Sequence, residues 1–303
     1  MNVDTTVQEK AVKFPTDTQL CHKARGELVK LARTYGISLR QSYARKSKTA
    51  VFLANKYMAA KQVNRGRRQI KTVRNYLGRV MRDIEPALGK EGALGGTLKA
   101  AMEKAAKIYA QAANRQEPDK IYSWHAPEVE CIAKGKAHRK YEFGCKASFA
   151  STSRSNFIVG ATAHHGRPYD GHTLRGVLAH IAAITGTMPK EAQVDQGYRG
   201  HGIDDDTTRV IISRQKRAIT PALRKRQRRR AAIEPVIGHC KNDRKVGPRN
   251  WLGGILGDQI NTIAMAIGFN LRKILKILRH LFLCLVQLWL ETIPPKNQTL
   301  CLK

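Results

Sequence analysis

The chain of 303 residues has few cysteines, few aromatic residues and no long apolar run. Its six cysteines are scattered and none forms a C-x-x-C pair, so neither a zinc knuckle nor a disulfide framework is indicated. Aromatic residues make up only 6%, and the absence of an RRM-like motif disfavours an RNA-binding protein. The first residues, MNVDTTVQEK, lack the pattern of a signal peptide. The most apolar run, residues 281–290, is too short to cross a bilayer.

Acidic residues are scarce as well. Asp and Glu together number 23, against 55 Lys and Arg, which gives a net charge of +32. A protein of this charge repels itself unless a polyanion neutralises it, and each phosphate that it contacts releases condensed counterions. Together with the missing signal peptide and disulfide pattern, this charge predicts a cytoplasmic protein that binds double-stranded DNA and no membrane.

The first 117 residues are predicted to be one strand followed by helices. Residues 1–16 contain a strand with Asp4 near its start. Residues 17–117 have helical spacing and carry 22 Lys or Arg against 7 Asp or Glu. They are either a solvated helical hairpin or a clamp on the DNA backbone, and the charge excess favours the clamp. Reversing the charges of Arg67 and Arg68 is expected to weaken DNA binding and flatten its salt dependence.

Residues 118–250 are predicted to complete an α/β domain, and residues 251–303 to form one or two C-terminal helices broken near residues 253–257. The elements expected in the α/β part are a hairpin, a helix capped by Thr173, two strands and a helix, at 141–150, 156–163, 173–185, 191–195, 208–213 and 224–245. The predicted fold class is therefore a ribonuclease H-like mixed sheet with a basic all-helical insertion after the first strand.

Three acids are candidates for a catalytic site. Asp195 ends a short apolar strand, Glu234 is the only acid in the basic stretch 224–242, and Asp4 lies near the first residue. Phosphodiester cleavage and strand transfer use two divalent ions about 4 Å apart, held by a few carboxylates. Mg²⁺ suits such a site. Other interpretations remain: Asp195 starts a turn, Glu234 pairs with an arginine, and Asp4 is solvated.

Two cations have a helical spacing relative to Glu234. Arg230 lies four residues before it and Lys241 seven residues after it. On an uninterrupted helix these offsets are rotations of about 400° and about 700°, which place all three side chains on one face. Pro235 offers an alternative, because a new helix starting there would keep Glu234 with Lys241 and leave the position of Arg230 open.

Several blocks of sequence occur in an order typical of one family. VDTTVQEKAV, HAPEVECIAKGKAHRKYEFG, GRPYDGHTL, VDQGYRGHG and RRRAAIEPVIGHCKND resemble blocks of the DDE transposases of bacterial insertion sequences, specifically the IS-five family. That family has a signature of tyrosine, two residues, arginine, three residues, glutamate, six residues and lysine. Arg230, Glu234 and Lys241 match this spacing, whereas Gln227 stands where the family has tyrosine.

The resemblance implies a function. Asp4, Asp195 and Glu234 would be catalytic residues and ligands of two Mg²⁺ or Mn²⁺ ions, and Arg230 and Lys241 would contact DNA. The substrates would be terminal inverted repeats and target DNA, bound by a homodimer.

Family members usually carry a further helical segment before the first acid, whereas three residues precede Asp4 here. We therefore expect an N-terminally truncated transposase. The alternative is a catalytically inactive, DNA-binding remnant. The complete set of acids favours the enzyme, and the missing front segment favours the remnant.

Overall fold

The structure is a computed structural model that describes residues 1–88, 95–114, 116–133, 140–203, 207–213, 220–242 and 249–292. Its helices and strands, in chain order, are β1 (Asn2–Glu9), α1 (Asp17–Thr34), α2 (Ala44–Ala59), α3 (Val63–Ile84), α4 (Gly95–Gln111), β2 (Glu130–Ala133), β3 (Tyr141–Ser151), β4 (Ile158–His164), α5 (Asp170–Thr185), β5 (Glu191–Val194), β6 (Arg209–Ile212), α6 (Pro221–Arg230), α7 (Ile233–Asn242) and α8 (Gly254–Thr292). The chain divides into two units. The first consists of Met1–Gln8, Lys146–Asn250 and Gly257–Lys303, and the second of Glu9–Cys145 and Trp251–Leu256.

The strands form a mixed, six-stranded sheet. Five of them follow the order β4, β3, β1, β5, β6. β1 runs parallel to β5, and β5 runs parallel to β6. β4 is antiparallel to the second half of β3, and β2 is antiparallel to its first residues. The predicted α/β class with a mixed sheet is therefore confirmed.

In the first unit the sheet is covered by helices on both faces. One cluster of buried residues joins α5 to strands β1, β3 and β5, through Leu174, Val177, Leu178, Ile181, Val3, Ala150, Ala192 and Val194. The other joins α7 and the first half of α8 to β3 and β4, through Ile233, Val236, Ile237, Met265, Ala266, Ala147, Phe149, Ile158 and Ala161. Because both faces are covered, β1 buries polar side chains as well as apolar ones, among them Asn2 and Gln8.

Two amide side chains of α8 bond to the backbone of the edge strand β4. Gln259 accepts from Ala163 N at 2.7 Å and donates to Ala161 O at 3.1 Å. Asn270 accepts from Ile158 N at 2.9 Å and donates to Ile158 O at 2.8 Å. An edge strand presents unpaired backbone groups, so these amides satisfy groups that would otherwise attract another strand.

The second unit contains the basic insertion, which was predicted to be helical and forms the four helices α1 to α4. α1, α3 and α4 contribute most of a single apolar core, which includes Leu28, Val73, Leu77, Ile84, Ala105 and Ile108. The unit extends beyond residue 117, where the insertion was predicted to end, and includes β2 and the start of β3.

The structure corrects several predicted boundaries. β2 was not predicted. Thr173 does not cap α5, which begins at Asp170, and its hydroxyl donates to Asp170 O within the first turn at 2.7 Å. α8 begins at Gly254 and continues unbroken to Thr292, although a break was predicted near residues 253–257. A glycine inside a helix destabilises it by about 1 kcal/mol relative to alanine. In α8, burial of the turns that follow the glycine outweighs this cost.

None of the helices that the structure describes is long and apolar enough to cross a membrane.

Candidate active site

The three candidate acids come from three elements of the first unit. Asp4 lies on β1, in the middle of the sheet, and Asp195 directly follows β5. The parallel register pairs Asn2 with Gln193, so two residues further along each strand Asp4 and Asp195 are neighbours. Glu234 is the second residue of α7. The sheet register therefore brings together two acids that are 191 residues apart in sequence.

All three carboxylates surround the guanidinium group of Arg230. Its Nη2 lies 3.3 Å from Asp4 Oδ2 and 3.9 Å from Asp195 Oδ2, and its Nη1 lies 3.8 Å from Glu234 Oε1. The Arg230 side chain is 14% exposed, whereas that of Glu234 is 65% exposed. Among the described residues, the acids thus converge on one point at the end of α6, and that point holds a positive charge.

The remaining oxygens of the two aspartates are held by backbone groups. Thr5 N donates to Asp4 Oδ1 at 2.8 Å, and Gly197 N donates to Asp195 Oδ1 at 2.9 Å. Each bond fixes its carboxylate with the second oxygen, Oδ2, turned toward Arg230. A Cβ on Gly197 would lie 3.1 Å from Asp195 Oδ1, tighter than ordinary contact, so glycine at this turn leaves room for the carboxylate.

Asp4 has an unusual protonation equilibrium. The pKa of its carboxyl is raised to about 6, chiefly by burial and to a lesser degree by the neighbouring Asp195 and Glu234. Arg230 and the Thr5 amide act in the opposite direction. Burial therefore disfavours the charged form of this carboxyl more than Arg230 and the amide favour it.

The donor set fits divalent metal ions of the Mg²⁺ type. Mg²⁺ prefers oxygen ligands and binds through one or two carboxylates per ion. Three carboxylate oxygens already face one cationic centre, and burial disfavours the charged form of Asp4, which an added cation would stabilise. That these residues bind metal stays a prediction.

A buried polar network lies beside Asp4 and was missed by sequence reasoning. The hydroxyl of Thr5 bonds to that of Tyr198 and lies 3.4 Å from Ser148 Oγ. Ser148 Oγ in turn lies 2.9 Å from His164 Nε2. Burial raises the pKa of the Tyr198 phenol and lowers the pKa of His164, so both are neutral at pH 7. The network therefore adds no charge beside Asp4.

Asp170 is a fourth acid near Asp195. Its Oδ2 would lie 3.5 Å from a Cβ on Gly197. Lys146 Nζ binds Asp170 Oδ1 at 2.8 Å and Pro168 O at 2.7 Å, which neutralises this carboxylate. Its place in the first turn of α5, directly after the hairpin, was the signal in the sequence that could have identified it.

The remaining predicted site residues lie on three helices. Lys241 is in the last turn of α7, two turns beyond Glu234. Gln227 is on α6, and its Nε2 is buried without a hydrogen-bond partner among the described residues. Arg67 and Arg68, both exposed, lie on α3 in the second unit.

Of the two alternatives for the helix around Glu234, the structure has the interrupted one. The chain breaks at the turn residues 231–232 between α6 and α7, so Pro235 falls in the first turn of α7, where its missing N–H costs nothing. Arg230 still contacts Glu234 across this break, although an interrupted helix left its position open.

Comparison with known proteins gives one short match. A stretch of 62 residues, 20% of this chain, is 52% identical to an uncharacterized protein, ORF8 in the nfe locus of Rhizobium meliloti. The match spans 30% of that protein's length. No family model and no solved structure matches the chain. The relative's name states no activity, so the match carries no information on function.

Proposed function

We propose that this chain is a DDE transposase of an insertion sequence, which cleaves element ends and transfers the strands to target DNA with the help of Mg²⁺ or Mn²⁺. The observation that carries the proposal is the meeting of Asp4, Asp195 and Glu234 around one guanidinium. The ordered sequence blocks and the net charge of +32 support the same function.

The fold that we infer with this function is ribonuclease H-like. The strand order β4, β3, β1, β5, β6, with β1 central and parallel to β5, supports it. So does the position of the acids on the central strand, after its parallel neighbour and on a later helix. Active sites of open α/β sheets commonly lie where parallel strands end.

Each acid has a role in this proposal. Asp4, Asp195 and Glu234 would hold two divalent ions, which would supply activation of the attacking hydroxyl and neutralisation of charge on the phosphate. Arg230 holds the three carboxylates together in the structure. With the acids neutralised by metal, Arg230 would be available to bind a DNA phosphate, together with Lys241 on α7.

The decisive experiment offers a duplex containing the element's terminal repeat, with Mg²⁺, to the wild type and to Glu234→Gln. We expect cleavage by the wild type and a loss of at least about 10³-fold in the variant, because a metal ligand is removed while the shape is kept. Glu291→Gln, an exposed acid on α8, is the matched control and should cleave normally.

A second function is favoured by one observation, the presence of Arg230 at the point where the ions would bind. If the guanidinium stays there, the protein is a catalytically inactive transposase remnant that binds DNA. Equal DNA binding by the wild type and Glu234→Gln, with cutting by neither at any Mg²⁺ or Mn²⁺ concentration, would establish this alternative.

The proposed partner is DNA in the cytoplasm, which a homodimer binds. Helix α8 carries an apolar seam that is suited to pairing with a second copy. Its exposed residues Leu271, Ile274, Leu278, Leu281, Leu285 and Leu288 alternate at spacings of three and four. This is the pattern of a coiled-coil seam. Cations cluster in the first half of the seam, between Arg272 and Arg279. Antiparallel pairing with α8 of a second copy places each cationic half against an apolar half, whereas parallel pairing would set cation against cation.

A further inference from the structure

The second unit contains a pocket of about 890 Å³ that the proposed catalysis does not use. It is lined by the start of α1, the ends of α2 and α4, one face of α3, the segment around Lys120 and the first part of β3. Small-molecule sites occupy about 300–1,000 Å³, so the volume is that of a ligand site.

One wall of this pocket is cationic. Arg67, Lys71 and Arg74 follow one another at four and three residues on α3, which places them on one helix face, and Lys120 also lines the pocket. Among the residues that the structure describes, Arg67 and Lys71 make no ion pair. The guanidinium of Arg74 stacks 5.2 Å from the Tyr109 ring centroid, and its Nε is buried without a hydrogen-bond partner.

The one acid of the pocket is already engaged. Asp17 Oδ1 accepts from Nε2 of the buried Gln111 at 3.3 Å. Gln111 also donates to Ile121 O at 3.0 Å and accepts from Ile121 N at 2.9 Å. This amide thereby ties the start of α1 and the end of α4 to the segment that carries Lys120. The segment next to Lys120 is therefore fixed to the start of α1 without any ligand.

The rest of the lining is apolar and partly aromatic. Met58, Ile70, Tyr122 and Phe143 belong to it. A ligand that satisfies both walls has a compact anionic group, which forks of arginine bind well, and a flat apolar body, which aromatic and methionine side chains contact.

We propose that this pocket binds a nucleoside phosphate, with the phosphate on Arg67, Lys71 and Arg74 and the base on the apolar wall. The ligand is either a free nucleotide or one nucleotide of a DNA strand. The inference stands on the second unit alone and does not depend on the proposed metal site.

The test measures binding to the full chain in EDTA by calorimetry, with AMP, adenosine and inorganic phosphate as probes. We expect AMP to bind with one-to-one stoichiometry and more tightly than either fragment. Arg67→Gln and Lys71→Gln, both at exposed positions, should each weaken AMP binding roughly tenfold, since each removes a bond to a charged group. Arg82→Gln, at an exposed position on α3 outside the pocket lining, is the matched control and should leave binding within about twofold.

DNA probes identify the source of the ligand. If a duplex with one unpaired terminal nucleotide binds more tightly than the blunt duplex, and AMP abolishes that difference, the nucleotide comes from a strand. Equal binding of the two duplexes, with AMP bound, assigns the pocket to a free nucleotide. Absence of saturable AMP binding, or an equal loss of AMP binding in Arg82→Gln and Lys71→Gln, overturns the proposal. A failure of strand cleavage would not contradict this proposal, because AMP binding is measured in EDTA, without metal.

Discussion

At the scale of the residue, Asp4 is the group whose charge depends most on its surroundings. Its side chain is partly buried on the central strand, and the pKa of its carboxyl is raised to about 6, chiefly by burial, although Arg230 lowers it. A carboxyl whose pKa is higher in the folded than in the unfolded chain binds protons more tightly when folded. Its contribution therefore favours folding at low pH and is lost as the pH rises from about 4 to about 6.

We predict that Asp4→Asn changes how stability depends on pH. In EDTA, we expect the free energy of unfolding of the variant, minus that of the wild type, to increase between pH 4 and pH 7. The increase should be up to about 3 kcal/mol. Urea unfolding at several pH values measures this difference, with Glu291→Gln as a control for an exposed acid. A difference between Asp4→Asn and wild type that is the same at every pH would contradict the raised pKa.

Bound metal should offset the loss of stability that the charged form of Asp4 causes. Ions that bind the folded site and not the unfolded chain stabilise it by mass action. We predict that Mg²⁺ at pH 7.5 raises the Tm of the wild type, that EDTA reverses the rise, and that Asp4→Asn shows little of it. The rise should fade below about pH 6, where Asp4 takes up a proton. Equal Tm shifts in both proteins would place the metal elsewhere.

At the scale of the element, the contact between β4 and α5 depends on a residue with no side chain. A Cβ on Gly160 would lie 2.7 Å from Ile181 Cγ1 and 3.4 Å from Ala150 Cβ. The first distance is shorter than real Cβ contacts allow, and Ile181 is fully buried. Glycine at this position lets the helix approach the sheet that carries the candidate acids.

Gly160→Ala is predicted to destabilise the protein by about 1–3 kcal/mol, because the core around Ile181 is overpacked. Gly176→Ala on α5 is the matched control. A Cβ there meets nothing within 4 Å, so helix propensity should raise the free energy of unfolding by about 0.5–1 kcal/mol. Both are measured by urea unfolding. The two changes in the free energy of unfolding should have opposite signs. A stabilising Gly160→Ala would refute the close approach of α5 to β4.

At the scale of the whole molecule, two features call for partners: the charge of +32 and the exposed apolar half of α8. The last residue of α8 that is buried is Ala266. Beyond it, Leu278 and Leu285 are more than half exposed. A large exposed apolar patch on a protein marks an interaction surface.

We predict that Leu278→Glu with Leu285→Glu abolishes self-association through α8. Each change places a charge in the seam, where the antiparallel partner would bury it. Sedimentation velocity should give a dimer for the wild type and a monomer for the double variant. The control changes Leu283 to Glu, an exposed position outside the seam, and should remain a dimer. A wild type that is monomeric at every concentration would disprove the pairing.

The sequence by itself determined the local features. Helical spacing predicted that residues 17–117 are helical, alternation and turn residues located β3 and β4, and the scarcity of acids singled out Glu234. These features are readable because burial of one face repeats along a single element. β2 and the start of α5 were missed, since short or polar segments take their structure from their neighbours.

Only the tertiary structure decided which residues meet. The register of β1 on β5 sets Asp4 beside Asp195, and the break between α6 and α7 still leaves Arg230 among all three acids. Neither could be read from spacing, because a register shift of one residue reverses every side chain and depends on packing across the whole sheet. The pairing of Lys146 with Asp170 has the same origin. The sequence supplies the reactive side chains, and the packing of distant segments determines which of them are in contact.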